Sequence, residues 1–243
     1  MPNPTAAILI IGDEILSGRT RDANMHYLAG ELTRIGIDLQ EVRMVSDRNG
    51  AIVGAVNDLR HAHDHLFTSG GIGPTHDDIT ADAIAAAFGV KIGIRDDART
   101  LLAAHYDRSG LEFNAARQRM ARIPEGALLI DNPISIAPGF SLGNVHVMAG
   151  VPDIFKAMVA SLLPRLTGGR PLLSQTLKVM RGEGAIAAPL ADLAQEFSDL
   201  SFGSYPFALN GAYGTNLVVR GQDGPRLDQA MGRMVAVFRG DDA

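Results

Sequence analysis

The residues with the most chemistry to offer lie in one run, Ser69-Gly70-Gly71-Ile72-Gly73-Pro74-Thr75-His76-Asp77-Asp78-Ile79-Thr80. A short apolar run, His65 to Thr68, precedes it and reads as a buried strand. Ala81 to Phe88 follows and reads as a helix closed by Gly89. Glycines between a strand and a helix start let the backbone turn tightly and present N–H groups, and the helix N-terminus adds partial positive charge. That is anion-binding geometry, with Ser69, Gly70, Gly71, Gly73, Pro74 and Thr75 as the candidate phosphate cradle. Asp77 and Asp78 do not suit a bare phosphate site. Two carboxylates there would repel the ligand unless a divalent cation stood between them. The loop has neither the Lys-Ser/Thr of a P-loop nor the G-x-G-x-x-G spacing of a dinucleotide fold. The competing reading is a turn whose Asp and Thr cap the next helix.

More acids stand at the ends of other candidate strands. Ala6 to Ile11 is an apolar run of the kind covered on both faces, and it ends at Gly12-Asp13-Glu14-Ile15-Leu16-Ser17-Gly18. Ile37 to Val45 ends at Ser46-Asp47, where Asp47 doubles as a candidate helix cap. Ala127 to Ile130 leads into Asn132-Pro133-Ile134-Ser135-Ile136-Ala137-Pro138-Gly139-Phe140, read as a stiff loop. In open α/β sheets ligands bind outside the carboxyl ends of the strands. These loops should therefore meet, bringing Asp13, Glu14, Asp22, Asn24, Asp47, Asp77 and Asp78 to one edge, with the carboxylates of Asp13, Asp47 and Asp78 facing one cleft. Oxygen ligands suit a hard cation. His61, His63 and His65 alternate across a helix end and a strand start, which is not a chelating register. Arg117, Arg119 and Arg122 are within range of a phosphate, or form a solvated helix face.

The elements that must position these residues alternate. Helices are expected from about Asp22 to Ile35, over the stripe Ile52, Val53, Val56 and Leu59, over 81–88, and over Phe155, Met158, Val159, Leu162 and Leu163 behind Pro152. Two polar-faced stretches, about 96–109 and 112–121, read as helices as well. Val90 to Ile94 and Val145 to Ala149 read as further strands. This order predicts an α/β fold over residues 1–166, a three-layer, mostly parallel sheet with helices on both faces. Thr167 to Pro171 reads as a linker. Residues 172–243 carry a β-α-β-β-α pattern and predict a small α+β domain, with Pro189 in the first turn of its first helix.

At 243 residues, 46% hydrophobic and 20% charged, the chain has the composition of a globular protein. No apolar run approaches the ~18 residues of a membrane span. The start of the chain lacks the basic n-region of a signal peptide, and there is no cysteine for disulfides or thiolate metal sites. A cytoplasmic setting with no membrane partner is expected. The net charge of −5 and the absence of a basic run argue against nucleic acid as a partner.

GDEILSG with Asp22 and Asn24, then SGGIGPTHDDIT, NPISIAPGF and GVP, together resemble the molybdenum-cofactor-biosynthesis family. These are MoaB/Mog-like, molybdopterin-binding domains, here in the form found in CinA (competence/damage-inducible protein A) and in the N-terminal part of eukaryotic FAD synthases. The likeness covers residues 6 to 165. The stretch from Lys178 through Gly182-Glu183 to Gly203-Ser204-Tyr205-Pro206 resembles the small segment that follows in CinA. The long CinA form continues into a nicotinamide-mononucleotide deamidase domain, an activity not expected of this chain. The resemblance implies a MogA-like fold, a nucleotide or pterin phosphate on the glycine loop, and a homo-oligomer. CinA-type members are associated with metal-dependent hydrolysis of ADP-ribose, and Mog-like members with adenylyl transfer to molybdopterin. By position, Gly70, Gly71, Gly73, Pro74, Thr75 and Asp78 match the family's phosphate loop and its acid. Asp47 matches the acid ending the second strand, and Asp13 and Glu14 the first acidic segment. Asp22, Asn24, Asn132, Pro138 and Gly139 complete the expected ligand-binding set. Ser135 and Ile136 depart from the Gly-Thr usual in the proline-rich loop, and Ile154 from the glutamate that often follows GVP.

The expected chemistry is hydrolysis of a nucleotide phosphoanhydride such as that of ADP-ribose or FAD, dependent on Mg²⁺, Mn²⁺ or Co²⁺. Asp77, Asp78 and Glu14 are the metal candidates, and Asp78, Asp47 and Asp13 the catalytic ones. The alternatives are a pocket that holds molybdopterin without turnover or serves adenylyl transfer, and a remnant in which the acids are caps.

Overall fold

The computed structural model describes residues 2–209 and 211–239, in two compact units, Met1–Gly169 and Arg170–Ala243. The first unit runs β1 (Thr5–Ile11), α1 (Asp13–Leu16), α2 (Asn24–Arg34), β2 (Asp38–Val45), α3 (Asn49–Ala62), β3 (His65–Ser69) and α4 (Thr80–Phe88). It continues with β4 (Ile92–Ile94), α5 (Asp96–Arg108), α6 (Ala115–Gln118), β5 (Arg122–Pro124), β6 (Leu128–Ile130), β7 (Gly139–Leu142), β8 (Val145–Met148) and α7 (Pro152–Leu162).

Six strands form one sheet in the order β2-β1-β3-β8-β7-β6. The pairs β1–β2, β1–β3 and β3–β8 are parallel, and β7 runs antiparallel to both β8 and β6. The apolar run of β1 is accounted for by its central place, since a strand covered on both faces needs no polar face. Ala6, Ile8 and Ile10 pack into one core with Leu28 and Leu32 of α2 and Phe155, Met158 and Val159 of α7. Ala7, Leu9 and Ile11 pack into the other with α3, α4 and α5 residues, among them Ile52, Val56, Ile84 and Leu102. The expected mostly parallel, helix-covered sheet is therefore present.

Three local expectations need correction. Gly139 and Phe140 belong to β7 and not to the preceding loop. A Cβ on Gly139 would lie 2.4 Å from the Val147 carbonyl oxygen, so only glycine lets β7 lie this close to β8. The stretch expected to be a helix over 112–121 holds only α6 and a 3₁₀ turn at Arg119–Ala121. In the second unit Pro189 sits inside a helix rather than in its first turn.

That second unit is β9 (Leu173–Val179), α8 (Glu183–Glu196), β10 (Ser201–Leu209), β11 (Ala212–Gly221) and α9 (Gly224–Arg239). Its antiparallel sheet has the order β10-β11-β9. Leu177, Val179, Leu217 and Val219 from the sheet meet Ile186, Leu193, Leu227, Met234 and Phe238 from α8 and α9 in a core of its own. Burial of Ile186 and Leu193 on either side of Pro189 holds α8 through the lost backbone hydrogen bond that an interior proline imposes.

Candidate active site

The chain leaving β1 continues to α2 on one face of the sheet, and the chain leaving β3 continues to α4 on the other. Neighbouring parallel strands whose connections part in this way open a crevice at their carboxyl ends. A cavity of about 550 Å³ lies there. Its wall is built from Gly12, Glu14 and Thr20 after β1, Asp47 after β2, and Gly70 to Pro74 with Asp77 and Asp78 after β3. Asn132, Ser135 and Ala137 after β6 and Ala149 to Pro152 after β8 complete it.

The glycine loop is held by short-range packing that admits no side chains. Gly70 (φ 109°) lies against β1, where a Cβ would stand 2.2 Å from the Ile11 carbonyl oxygen. Gly71 (φ 71°) lies against Thr80, where a Cβ would stand 2.1 Å from Oγ1. Both conformations are left-handed, the region glycine enters without penalty. Buried Thr80 closes the loop from the other end. Its hydroxyl donates to the Gly70 carbonyl (3.0 Å) and its N–H to the Gly71 carbonyl (3.0 Å).

The acids divide by role. Asp78 Oδ2 accepts from the Thr75 N–H (2.8 Å) and from its hydroxyl, so Asp78 closes the turn rather than capping α4. Asp47 does not cap α3. Its Oδ2 accepts the Asp13 N–H (2.8 Å) and braces the loop after β1. Burial, and then the charges of Asp13, Glu14 and Asp77, raise the Asp47 pKa above its ordinary value, against the opposing hydrogen bond from Asp13. That repulsion reports a concentration of negative charge at this edge.

Of the residues expected at the site, Glu14, Asp47, Gly70, Gly71, Gly73, Pro74, Asp77, Asp78 and Asn132 line the cavity. Asp13 does not. Its N–H donates to Asp47 Oδ2, and its charge adds to the acidic edge from outside the wall. Thr75 is off the wall, its polar groups engaged by Asp78. Asp22 accepts the N–H groups of Asn24 and Met25 and starts α2. Asn24 is buried, and its amide donates to Ser69 Oγ (2.8 Å) and the Gly150 carbonyl (2.8 Å), tying α2 to the ends of β3 and β8. Ser69, Asp22 and Asn24 line a smaller recess of about 80 Å³ beside the main one. Asn132 is buried with its side chain spent on the proline-rich loop. It donates to Ser135 Oγ (2.6 Å) and the Ala137 carbonyl (2.8 Å), and accepts from the N–H groups of Ile134 and Ser135. Ile136 in that loop has φ 65°, a strained conformation for a β-branched residue. Pro138 lines a smaller adjoining recess and not the main cavity, and Gly139 lines neither, being paired with Ile130 in the sheet. The alternating histidines make separate contacts, His61 with the Asn57 carbonyl, His63 with the Leu59 carbonyl and His65 with His146.

Residues the sequence reading left out of the site include Thr20, Met120 and the segment Ala149 to Pro152. The last was within reach, because Gly150-Val151-Pro152 follows a strand of the same sheet and so must open on the same edge. No three His, Asp or Glu side chains are assembled as a metal cage among the described residues.

Fold and cleft define an α/β protein with a cavity at the carboxyl edge of a mostly parallel sheet. Residues 7–168 match the family model described as a probable molybdopterin binding domain, and the chain belongs to that family. Residues 171–242 match the FAD synthase middle domain. A probable FAD synthase of Caenorhabditis elegans is 32% identical over 240 residues, covering 88% of this chain and 46% of that protein. A CinA-like protein of Desulforapulum autotrophicum is 34% identical over 205 residues, covering 78% of this chain and 48% of that one. The chain thus spans about half the length of both. The crystal structure of CinA from Thermoplasma acidophilum, a protein described as of unknown function, superposes with a TM-score of 0.62 at 29% identity. It covers 67% of this chain and 97% of that one. Among the described residues no helix is long and apolar enough to cross a membrane.

Proposed function

We propose that the chain binds the diphosphate of a nucleotide such as ADP-ribose or FAD on the glycine loop and hydrolyses its phosphoanhydride with the help of a divalent cation. One observation carries the reading: a cavity of about 550 Å³ at the sheet edge has glycine-loop backbone on one wall and Glu14, Asp47, Asp77 and Asp78 around it. The hard oxygen donors fit Mg²⁺, Mn²⁺ or Co²⁺. A cation of the Mg²⁺ type is commonly held by one or two carboxylates together with substrate phosphates. Asp77, Asp78 and Glu14 would hold it, and when bound it would neutralise charge on the phosphoryl oxygens.

The chain's own part is binding, orientation and proton management. Backbone N–H groups of Gly71 and Gly73 hold phosphoryl oxygens. Asp47, whose raised pKa brings it nearer the working range of a base, orients the attacking water and takes its proton. Water adds to one phosphorus, the bridging P–O bond breaks, and two monophosphates leave. Asp13 holds Asp47 in place through its N–H. The likeness of residues 171–242 to the FAD synthase middle domain supports including FAD among the substrates tried.

The test is AMP release from ADP-ribose and FAD with Mg²⁺, Mn²⁺ or Co²⁺, with and without chelator. We expect metal-dependent turnover that falls about 10²-fold in Asp78→Asn, the equivalent of ~3 kcal/mol of transition-state stabilisation. Unchanged turnover in that variant removes the loop as the site. A second reading, a molybdopterin-holding or adenylyl-transfer module without hydrolysis, is favoured by the family match. It takes over if no dinucleotide is cleaved while a pterin phosphate raises the melting temperature.

A further inference from the structure

A recess of about 20 Å³ adjoins the glycine loop, and Gly71, Gly73, Asp78, Pro138, Arg119 and Arg122 are among its lining residues. It shares Gly71, Gly73, Asp78 and Met120 with the main cavity, so the two adjoin. The two arginines differ in their engagements. Arg122 is paired with Asp82 at 2.5 Å. Arg119 makes no ion pair among the described residues. It has one long hydrogen bond, Nη2 to the Asp78 carbonyl at 3.4 Å, and its Nε is buried without an acceptor. The third arginine of this stretch, Arg117, lies over the Tyr106 ring at 4.6 Å.

A guanidinium is charged at any working pH and presents five donors in a fixed fork. Burying one of those donors unpaired is costly, and such groups call for an explanation. The arginine that carries this unpaired donor lines the same recess as Gly71 and Gly73, which also line the main cavity. Glu14, Asp47, Asp77 and Asp78 stand on the cavity wall, so a positive charge from the protein would add to that of a cation in holding a diphosphate. We infer that Arg119 is that charge: its guanidinium donates to an oxygen of the ligand's diphosphate seated on the Gly71–Gly73 loop. This rests on the reading of the loop as a phosphate site, though not on hydrolysis. The simpler role for Arg119 is a strut under the Asp78 carbonyl.

Calorimetric titration of the full chain with ADP and with adenosine, in Mg²⁺, separates these roles. Arg119→Gln is expected to weaken ADP binding by roughly tenfold or more, the scale of one charge-assisted hydrogen bond, and to leave adenosine binding unchanged. Arg119→Lys should recover part of the loss, because it restores charge without the fork. A second measurement uses the wild-type protein. The Arg119 Nε–H resonance, assigned by its disappearance in Arg119→Lys, should shift with ADP and stay in place with adenosine. Equal ADP affinity in wild type and Arg119→Gln, or an unmoved resonance while ADP binds, overturns the assignment and leaves the strut. A wild-type protein with no preference for ADP over adenosine overturns both Arg119 and the phosphate loop. ADP binding sensitive to Arg119, with no dinucleotide cleaved, upholds Arg119 and removes only hydrolysis.

Discussion

Asp47 carries its charge against its surroundings. Burial and the neighbouring acids raise its pKa, so the native state holds the proton more readily than the unfolded chain does. A carboxylate shifted in this direction costs nothing below its unfolded pKa and lowers stability as pH rises through the folded one. Asp47→Asn keeps an oxygen to accept the Asp13 N–H and removes the charge. We expect a melting temperature at neutral pH equal to or above that of wild type, together with reduced turnover. A clear fall in melting temperature would mean that the carboxylate is structural. His146 makes the opposite statement about pH. Burial, and then the nearness of His65, pushes its pKa down from 6.5 to about 3. It sits between Ser141 Oγ at 2.8 Å and His65 Nδ1 at 3.2 Å, neutral in the fold. The unfolded chain takes up a proton near 6.5, so this stability is complete above that pH and drains away as pH falls toward 3. The slope is about 1.4 kcal/mol per unit at most. Urea unfolding at pH 7 and pH 5 should show the loss, and His146→Gln should flatten it. The site acids were legible as residues because they follow apolar runs. What each one binds was not: Asp22, Asp47 and Asp78 look alike in sequence, yet one starts a helix, one braces a loop and one closes a turn.

Among the elements, the loop from β3 to α4 is fixed by packing rather than by its own hydrogen bonds alone. Gly71 combines a left-handed φ with a near neighbour, while Gly89 at the end of α4 has φ 67° with nothing within 4 Å of a Cβ. Alanine at both positions separates the two effects. Gly89→Ala should cost about 1 kcal/mol of dihedral strain and leave ligand binding alone. Gly71→Ala must displace Thr80 as well, and should weaken nucleotide binding along with stability. Thr80→Val keeps the shape and deletes the hydroxyl donated to Gly70. With that carbonyl left unpaired in a buried setting, a loss of about 1–3 kcal/mol is expected from chemical denaturation. If nucleotide affinity is the same in wild type and Gly71→Ala, the loop does not form the ligand site. This element was read from sequence because glycines after an apolar run have few other uses. The strand β7 was not. Its four residues follow two prolines, and its pairing with β8 depends on Gly139 meeting Val147, a contact no local pattern announces. The strut from Asn24 to Ser69 and Gly150 was equally invisible, since it joins positions 126 residues apart.

At the scale of the molecule, the two units close separate cores. No buried residue of the α8–α9 core belongs to either core of the sheet unit. The site lies wholly within Met1–Gly169, with its wall running from Ile11 to Ile154. The strand–helix alternation that made the first unit legible depends on two-faced burial, as in β1, whereas the second unit buries one sheet face and writes a weaker pattern. A chain ending at Gly169 should therefore keep everything the cleft needs: all six strands of the main sheet, both flanking cores, the glycine loop and Arg119. We expect that fragment to be monodisperse, to melt cooperatively close to one of the transitions of the full chain, and to bind ADP with Mg²⁺ within about threefold of the full-length affinity, a difference of ~0.7 kcal/mol. The second unit is of a size at which a single core gives a marginal margin of stability, so the lower-melting transition of the full chain should be its own. Calorimetry of the two proteins side by side makes the comparison. If the fragment melts well below both transitions, or binds ADP far more weakly, the cores are distinct but their stabilities are not, and Arg170–Ala243 contributes to the site's integrity.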